Sequence, residues 1–293
     1  MTTRNHTHRS KHRTDPVHPN HQHISVATEL RRLTPRDRWL LDLLHEHQVL
    51  STEQVSALSF DTIHTARIRL NLLDRRGVLA RFRDCVRPGS QSWRWTLGVL
   101  GATYLAHRDG QPTPRPSAIR ERISRLSTNP HLGHLLGVNQ FFVDLAAHAR
   151  HTPGTQLERW WSERTCVQEI TGSIVHPDGH GIWTEHGAPL PFWLEWDAGT
   201  EPRHRILSKV DSYRQLHRAT GLGHAVLIHL DTPGRESSLR PRLAAHPAVT
   251  GGELLIATTH AGCHPAAAVW SPALGGEARI RLADLASIHP APA

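Results

Sequence analysis

The chain has 293 residues, with 34 Lys and Arg against 26 Asp and Glu, so its formal net charge is +8 before its 25 histidines are counted. A hydrophobic share of 38% supports one large or two medium domains once the polar ends are set aside. Cys85, Cys166 and Cys263 are far apart and form no C-x-x-C, which excludes a disulfide framework and a standard zinc ribbon. The start has no apolar stretch of signal-peptide type, and no run reaches the roughly 18 apolar residues of a membrane span. A cytoplasmic protein without a membrane partner is expected. The basic balance favours a polyanionic partner, nucleic acid above all, although arginine-rich codon usage would give the same totals.

Residues 1–28 form a His/Arg-rich tail with little to bury, expected to be disordered. Residues 29–110 read as a winged helix-turn-helix DNA-binding domain. Thr34 is placed to cap a first helix with Pro35 at its first position, and Ser51 with Gln54 reads as a capping box for a second. A third helix from about Asp61 to Arg76 carries Ile63, Ala66, Leu70 and Leu73 at helical spacing and stops at Gly77. Two strand patterns, VLARFRDC and QSWRWTL, flank the turn Arg87-Pro88-Gly89-Ser90 and would form the wing.

Between Asp61 and Arg94 there are eight arginines, three aspartates and no glutamate. Thr62, His64, Thr65 and Arg69 lie off the buried stripe of the third helix, which in such a motif enters the major groove by its N-terminal half. Arg81, Arg83 and Arg94 on the wing would reach phosphates or the minor groove. Double-stranded DNA is the expected partner. A packing module with a solvated basic face is the alternative. A homodimer is one open arrangement, with no interface marked.

A helix at 98–107 packs back on this unit, and residues 111–130 begin with the proline-rich QPTPRPS and read as a linker. Residues 131–270 follow as a second domain. It opens with a helix over His131–Arg150 rich in Leu, Val and Phe. Strand patterns follow over 157–170, 173–177 and 192–197, then a helix from Arg203 to His217, a strand at 224–231, a helix near 238–245 and a strand at 253–259. This order predicts a mixed α/β (α+β) domain with helices on both sides of its sheet. Residues 271–293 read as a C-terminal tail.

Within this domain FWLEWD is the most informative stretch. Strand alternation sends Phe192, Leu194 and Trp196 to one face, and Trp193, Glu195 and Asp197 to the other. Two neighbouring carboxylates repel unless a cation or proton offsets them, and a divalent metal with oxygen ligands is one answer. Asp178, after Pro177, brings a third carboxylate. Lysine occurs only at Lys11 and Lys209. Lys209 falls in the apolar stripe of Ile206, Val210, Tyr213 and Leu216, so it would face the sheet, where a compact ammonium can serve a site that arginine cannot. A chance survivor snorkelling at the stripe's edge is the alternative.

A helix, a hairpin carrying Pro177-Asp178, a strand with Glu195, then a helix and a strand resembles the core of PD-(D/E)xK restriction-endonuclease-like proteins. The family's lysine would fall at Asp197, and Lys209 matches a lysine taken from the next helix. Over residues 34 to 260 the chain also resembles the replication-relaxation family of actinobacterial plasmids and integrative elements. That likeness rests on the winged helix, Trp160-Trp161-Ser162-Glu163, Pro177-Asp178, FWLEWDAGTE and Lys209-x-x-x-Tyr213. It implies replication or processing of mobile-element DNA, with replication or mobilisation proteins as further partners. An active site would use Asp178, Glu195 and Asp197 to hold Mg2+ or Mn2+ and Lys209 to orient water or steady developing charge. Glu163 is a weaker acidic candidate, and His176 and His180 read as background. The alternative function is a non-catalytic DNA-binding accessory or transcriptional regulator with an inactive nuclease-like domain.

Overall fold

The computed structural model describes residues 30–83, 91–172, 174–199, 202–276 and 278–288. The N-terminal tail, Cys85 and the turn at residues 87–90 lie outside them. The architecture is mixed α/β, with a three-stranded antiparallel sheet and a six-stranded mixed sheet, in two units, Met1–Leu136 and Gly137–Ala293. No helix among the described residues is long and apolar enough to cross a membrane.

In the first unit, α1 (Pro35–His47) starts at a reciprocal cap. The Asp37 N–H donates to Thr34 Oγ1 at 3.2 Å, and the Thr34 N–H donates to Asp37 Oδ2 at 2.7 Å. Strand β1 (Leu50–Ser51) leads into α2 (Thr52–Ser59), where Ser51 and Gln54 make the same exchange at 3.1 and 2.8 Å. Each box satisfies amides that a helix start leaves unpaired. Thr62 caps α3 (Ile63–Arg75), which buries Ala66, Leu70 and Leu73. Strands β2 (Leu79–Phe82) and β3 (Arg94–Leu97) follow, with β3 central and antiparallel to both β1 and β2. Helix α4 (Val99–Arg108) comes next.

Residues 111–130, expected as a linker, hold helix α5 (Pro116–Ser127). Its Leu126 is buried with Val49, Phe82 and Leu132. Pro116 at the first helical position is a start signal rather than a spacer, because the helix needs no amide there.

The second unit takes α6 (Leu132–His151) from Gly137 onward, β4 (Thr155–Ser162), α7 (Glu163–Cys166) with a π-turn at Val167–Thr171, β5 (Gly179–Glu185), β6 (Ala188–Asp197) and α8 (Arg203–Thr220). Then come β7 (Ala225–Leu230), α9 (Pro233–Ala244), α10 (Pro247–Thr250), β8 (Ile256–His260), β9 (Ser271–Pro272) and α11 (Leu285–Ile288). The strands lie in chain order, with β6–β7 and β7–β8 parallel and the other pairs antiparallel. One face packs Phe192, Leu194, Leu227 and Ala257 against Phe141 and Phe142 of α6, Trp270, Leu282 and Leu285. The other packs Trp193, Val226, Ile228, Leu230 and Ile256 against Ile206, Val210, Tyr213 and Leu216 of α8 and Leu239 and Leu243 of α9.

Three expectations change here. The strand expected over 157–170 stops at Ser162, whose hydroxyl accepts the Thr165 N–H at 3.4 Å and turns the chain into α7. The strand expected at 173–177 lies at Gly179–Glu185 instead. There Gly179 lets the Phe142 ring onto the sheet, since an added Cβ would lie 2.7 Å from a ring carbon. Much of the expected C-terminal tail is core: Ser271, Leu282 and Leu285 are buried, and β9 pairs with β8.

Candidate functional site

Strand β6 sits between antiparallel β5 and parallel β7. Its alternation is the one the sequence requires. Phe192 and Leu194 join the α6 face, with Trp196 packed against it, and Trp193 joins the α8 face. Glu195 and Asp197 follow Trp193 at intervals of two, and both are buried.

The hairpin brings in Asp178. Gly179 pairs with Leu194, and the Asp178 N–H donates to the Leu194 carbonyl at 3.0 Å, so Asp178 stands across from Glu195. Its carboxylate Oδ2 accepts the Trp196 N–H at 2.7 Å, between the two acidic residues of β6. Helix α8 supplies the rest. Lys209 Nζ donates to Glu195 Oε2 at 2.5 Å, and the Tyr213 hydroxyl donates to Oε1 at 2.5 Å. Lys209 and Tyr213 are four residues apart and thus share a helix face. Burial raises the Glu195 carboxyl above the usual carboxylate range, and the Asp178 charge adds to that, while Lys209 and Tyr213 pull back only in part. Burial and the adjacent Glu195 push the Tyr213 phenol well above its usual range, so it acts as a fixed donor.

Asp197 goes elsewhere. Its Oδ1 accepts the Gly199 N–H at 2.9 Å, and its Oδ2 is bound by Arg235 Nε in the first turn of α9. Arg235 also lies 3.9 Å from Asp231. Gly199 has φ +81°, and an added Cβ would meet the Asp231 carboxylate, so any other residue there would be strained. The repulsion between Glu195 and Asp197, which by itself invited a metal, is therefore answered by two side-chain cations, Lys209 and Arg235. Sequence reasoning missed Arg235. Its signal was Asp231-Thr232-Pro233, a strand end followed by a cap and a first-turn proline, which puts residue 235 at the strand's C-terminal edge.

The donor set bears on a divalent ion. Asp178, just before β5, and Glu195 on β6 offer hard oxygens, and the buried Glu195 is a reluctant anion whose charge a cation would stabilise. That chemistry fits Mg2+ or Mn2+, which often take one or two carboxylates and fill the remainder with water and substrate phosphate. Asp197 does not fit while it is bound to Arg235. Among the described residues no three His, Cys, Asp or Glu side chains converge as a metal-binding group.

The flanking candidates play smaller parts. Glu163 and His176 are exposed and face each other, with His176 Nδ1 3.6 Å from a Glu163 oxygen. His180 is buried against Trp193, Trp161 and His224, with neither ring nitrogen hydrogen-bonded. Burial, then the nearby His224 and Arg159, lower it to about 3, so it is a neutral ring of the core.

In the first unit the seven residues assigned to DNA separate into groups. Arg69 is bound to the buried Asp37 of α1, Nε to Oδ1 at 2.8 Å and Nη2 to Oδ2. Arg81 crosses to α3, with Nη1 on Asn71 Oδ1 at 2.6 Å and Nε 3.1 Å from Asp74. Both are thus internal ties between elements. Arg83 stacks its guanidinium 4.1 Å over the Trp93 ring, an arrangement that leaves N–H donors at its planar edge to face acceptors. Arg94 donates to Gln91 at 2.5 Å. Thr62 caps α3, and His64 and Thr65 are exposed on its first turns.

Comparison with known proteins completes the picture. No curated protein and no solved structure matches the chain. A model of the replication-relaxation family matches residues 41–226, a stretch that includes α3, β2, β3, Asp178, Glu195, Lys209 and Tyr213, and the chain belongs to the replication-relaxation family.

Proposed function

We propose that this family member binds double-stranded DNA through its first unit and cleaves phosphodiester bonds with its second, in the replication or relaxation of plasmid or integrative-element DNA. The first unit reads as a winged helix. Support comes from three helices leading into an antiparallel sheet and from the arginine-rich stretch that α3 and the wing share.

The cleavage reading rests on one observation: Lys209 Nζ lies 2.5 Å from Glu195 Oε2, with Asp178 close enough to raise the Glu195 carboxyl. Asp178 and Glu195 would hold Mg2+ or Mn2+, which supplies polarisation of the phosphodiester and a more acidic water. Lys209 offers an ammonium donor where charge develops on the phosphoryl oxygens. Tyr213 fixes the Glu195 carboxylate so that its orientation need not be set during reaction. Asp197 and Arg235 serve as a support, holding the end of β6 against the start of α9.

Incubation of the full chain with supercoiled plasmid and Mg2+ or Mn2+ tests this. Nicking is expected, and loss of it in both Asp178→Ala and Lys209→Ala. A parent protein that nicks with neither metal sinks the cleavage reading. A second reading then stands, a non-catalytic DNA-binding accessory. The observation favouring it is that Lys209 and Arg235 already offset the two acidic residues of β6.

A further inference from the structure

We propose that Ile68 reads a thymine methyl group in the major groove of duplex DNA, making it the specificity-determining residue of α3. The inference rests on the DNA-binding reading above and goes beyond it by naming the base contact. A lone exposed apolar side chain is ordinary on a protein surface. What distinguishes Ile68 is its place.

At 3.6 residues per turn, Ile68 lies roughly 160° round the helix from each of the buried Ala66 and Leu70. It is thus at the centre of the solvent face, and it is 56% exposed. His64 and Thr65, also exposed, flank it one turn earlier. The two edges of that face are tied down. On one side Arg69 binds Asp37 of α1. On the other Arg81 of β2 binds Asn71 and Asp74. The arginines that looked like DNA contacts hold the helix rigid and leave an apolar knob between a hydroxyl and an imidazole. Exposed Arg67 and half-buried Arg83 give the surroundings the positive charge that a phosphate backbone requires. In the major groove thymine alone presents an apolar methyl, and the neighbouring edges present donors and acceptors. A branched aliphatic side chain beside two hydrogen-bonding ones is complementary to that pattern.

The test selects bound sequences from a random duplex library with the full-length protein, then remakes the selected duplexes with deoxyuridine in place of thymine. Selection of a fixed thymine is expected, and deoxyuridine at that position should weaken binding about four-fold, the value of burying one methyl group. Ile68→Ala should fold, since alanine is the best helix former. It should lose the thymine-over-deoxyuridine preference, its affinity for the thymine duplex falling about four-fold to that for the deoxyuridine one. An unchanged preference in Ile68→Ala, or a selected set without a fixed thymine, overturns the proposal while leaving DNA binding in place. Failure of the parent to bind any duplex at low salt overturns both readings.

Discussion

Two buried carboxylates, one in each unit, have opposite fates. Burial by itself would raise Asp37, yet the Arg69 guanidinium and the Thr34 amide and hydroxyl outweigh it and hold the carboxyl below its usual range. Glu195 is also buried, and there burial wins, so its carboxyl rises. The partners differ as well. Asp37 meets a permanently charged planar fork and a capping amide, whereas Glu195 meets a point charge, a phenol and a second carboxylate. A carboxylate fully satisfied by its fold is a structural tie. One left short of positive charge is poised to take up a cation or a proton, and such sites tend to be functional.

The largest expected effect breaks the structural side of this pair. Arg69→Met should cost about 3 kcal/mol of stability at neutral pH, because it strands a buried charge. Lys209→Met should cost roughly 1–2 kcal/mol, because Glu195 can protonate instead. Urea unfolding of both variants compares them, and an equal loss would mean that the two carboxylates are held alike.

Stability against pH sharpens it. Glu195 has a raised folded value, so its contribution is fully present below an unfolded value of about 4.3 and is lost as pH rises through the folded one. Asp37 has a lowered folded value, so its contribution is present above about 3.9 and is lost as pH falls through the folded one. The stability of the parent relative to Glu195→Gln should therefore decline between about pH 4 and pH 8, where the Asp37→Asn difference stays level. Unfolding series at stepped pH would show it, and a flat Glu195→Gln difference would contradict the raised carboxyl.

Smaller effects follow. Tyr213→Phe should cost about 1 kcal/mol, the net worth of one hydrogen bond, and should raise the Glu195 titration further when followed by carbonyl-labelled infrared spectroscopy. A titration left in place would mean the phenol does not restrain the carboxylate. The smallest concerns Arg83, just after β2. Arg83→Ala should weaken binding to all duplexes alike and flatten the salt dependence by about one counterion. The same variant with an unaltered salt slope would count against Arg83 as a phosphate contact in the proposed complex.

Local chemistry carried well from sequence to structure. Thr34 with Pro35, Ser51 with Gln54, and the alternation of FWLEWD each depend on neighbours a few residues away, and each stands as read. Lys209 against the sheet also stands, because helical period and an apolar stripe decide which way a residue points. The long-range partners were not legible. Arg69 and Arg81 look like any basic residues of a DNA reader until Asp37 and Asp74 arrive from other elements. The linker became α5 and the tail became core because Leu126, Leu282 and Leu285 found cavities formed by distant strands. Strand β5 shifted because two glycines make room for Phe142, a contact set by helix α6.

The residues alone determined which side chains share a face, where helices begin, and that acids on one strand would need positive charge nearby. Only the packed chain decided which cation answers which acid: Lys209 for Glu195, Arg235 for Asp197 and Arg69 for Asp37. Facing and capping are governed by backbone period over a few residues. Ion pairing depends on which strands and helices lie side by side, and that adjacency is a property of the whole fold.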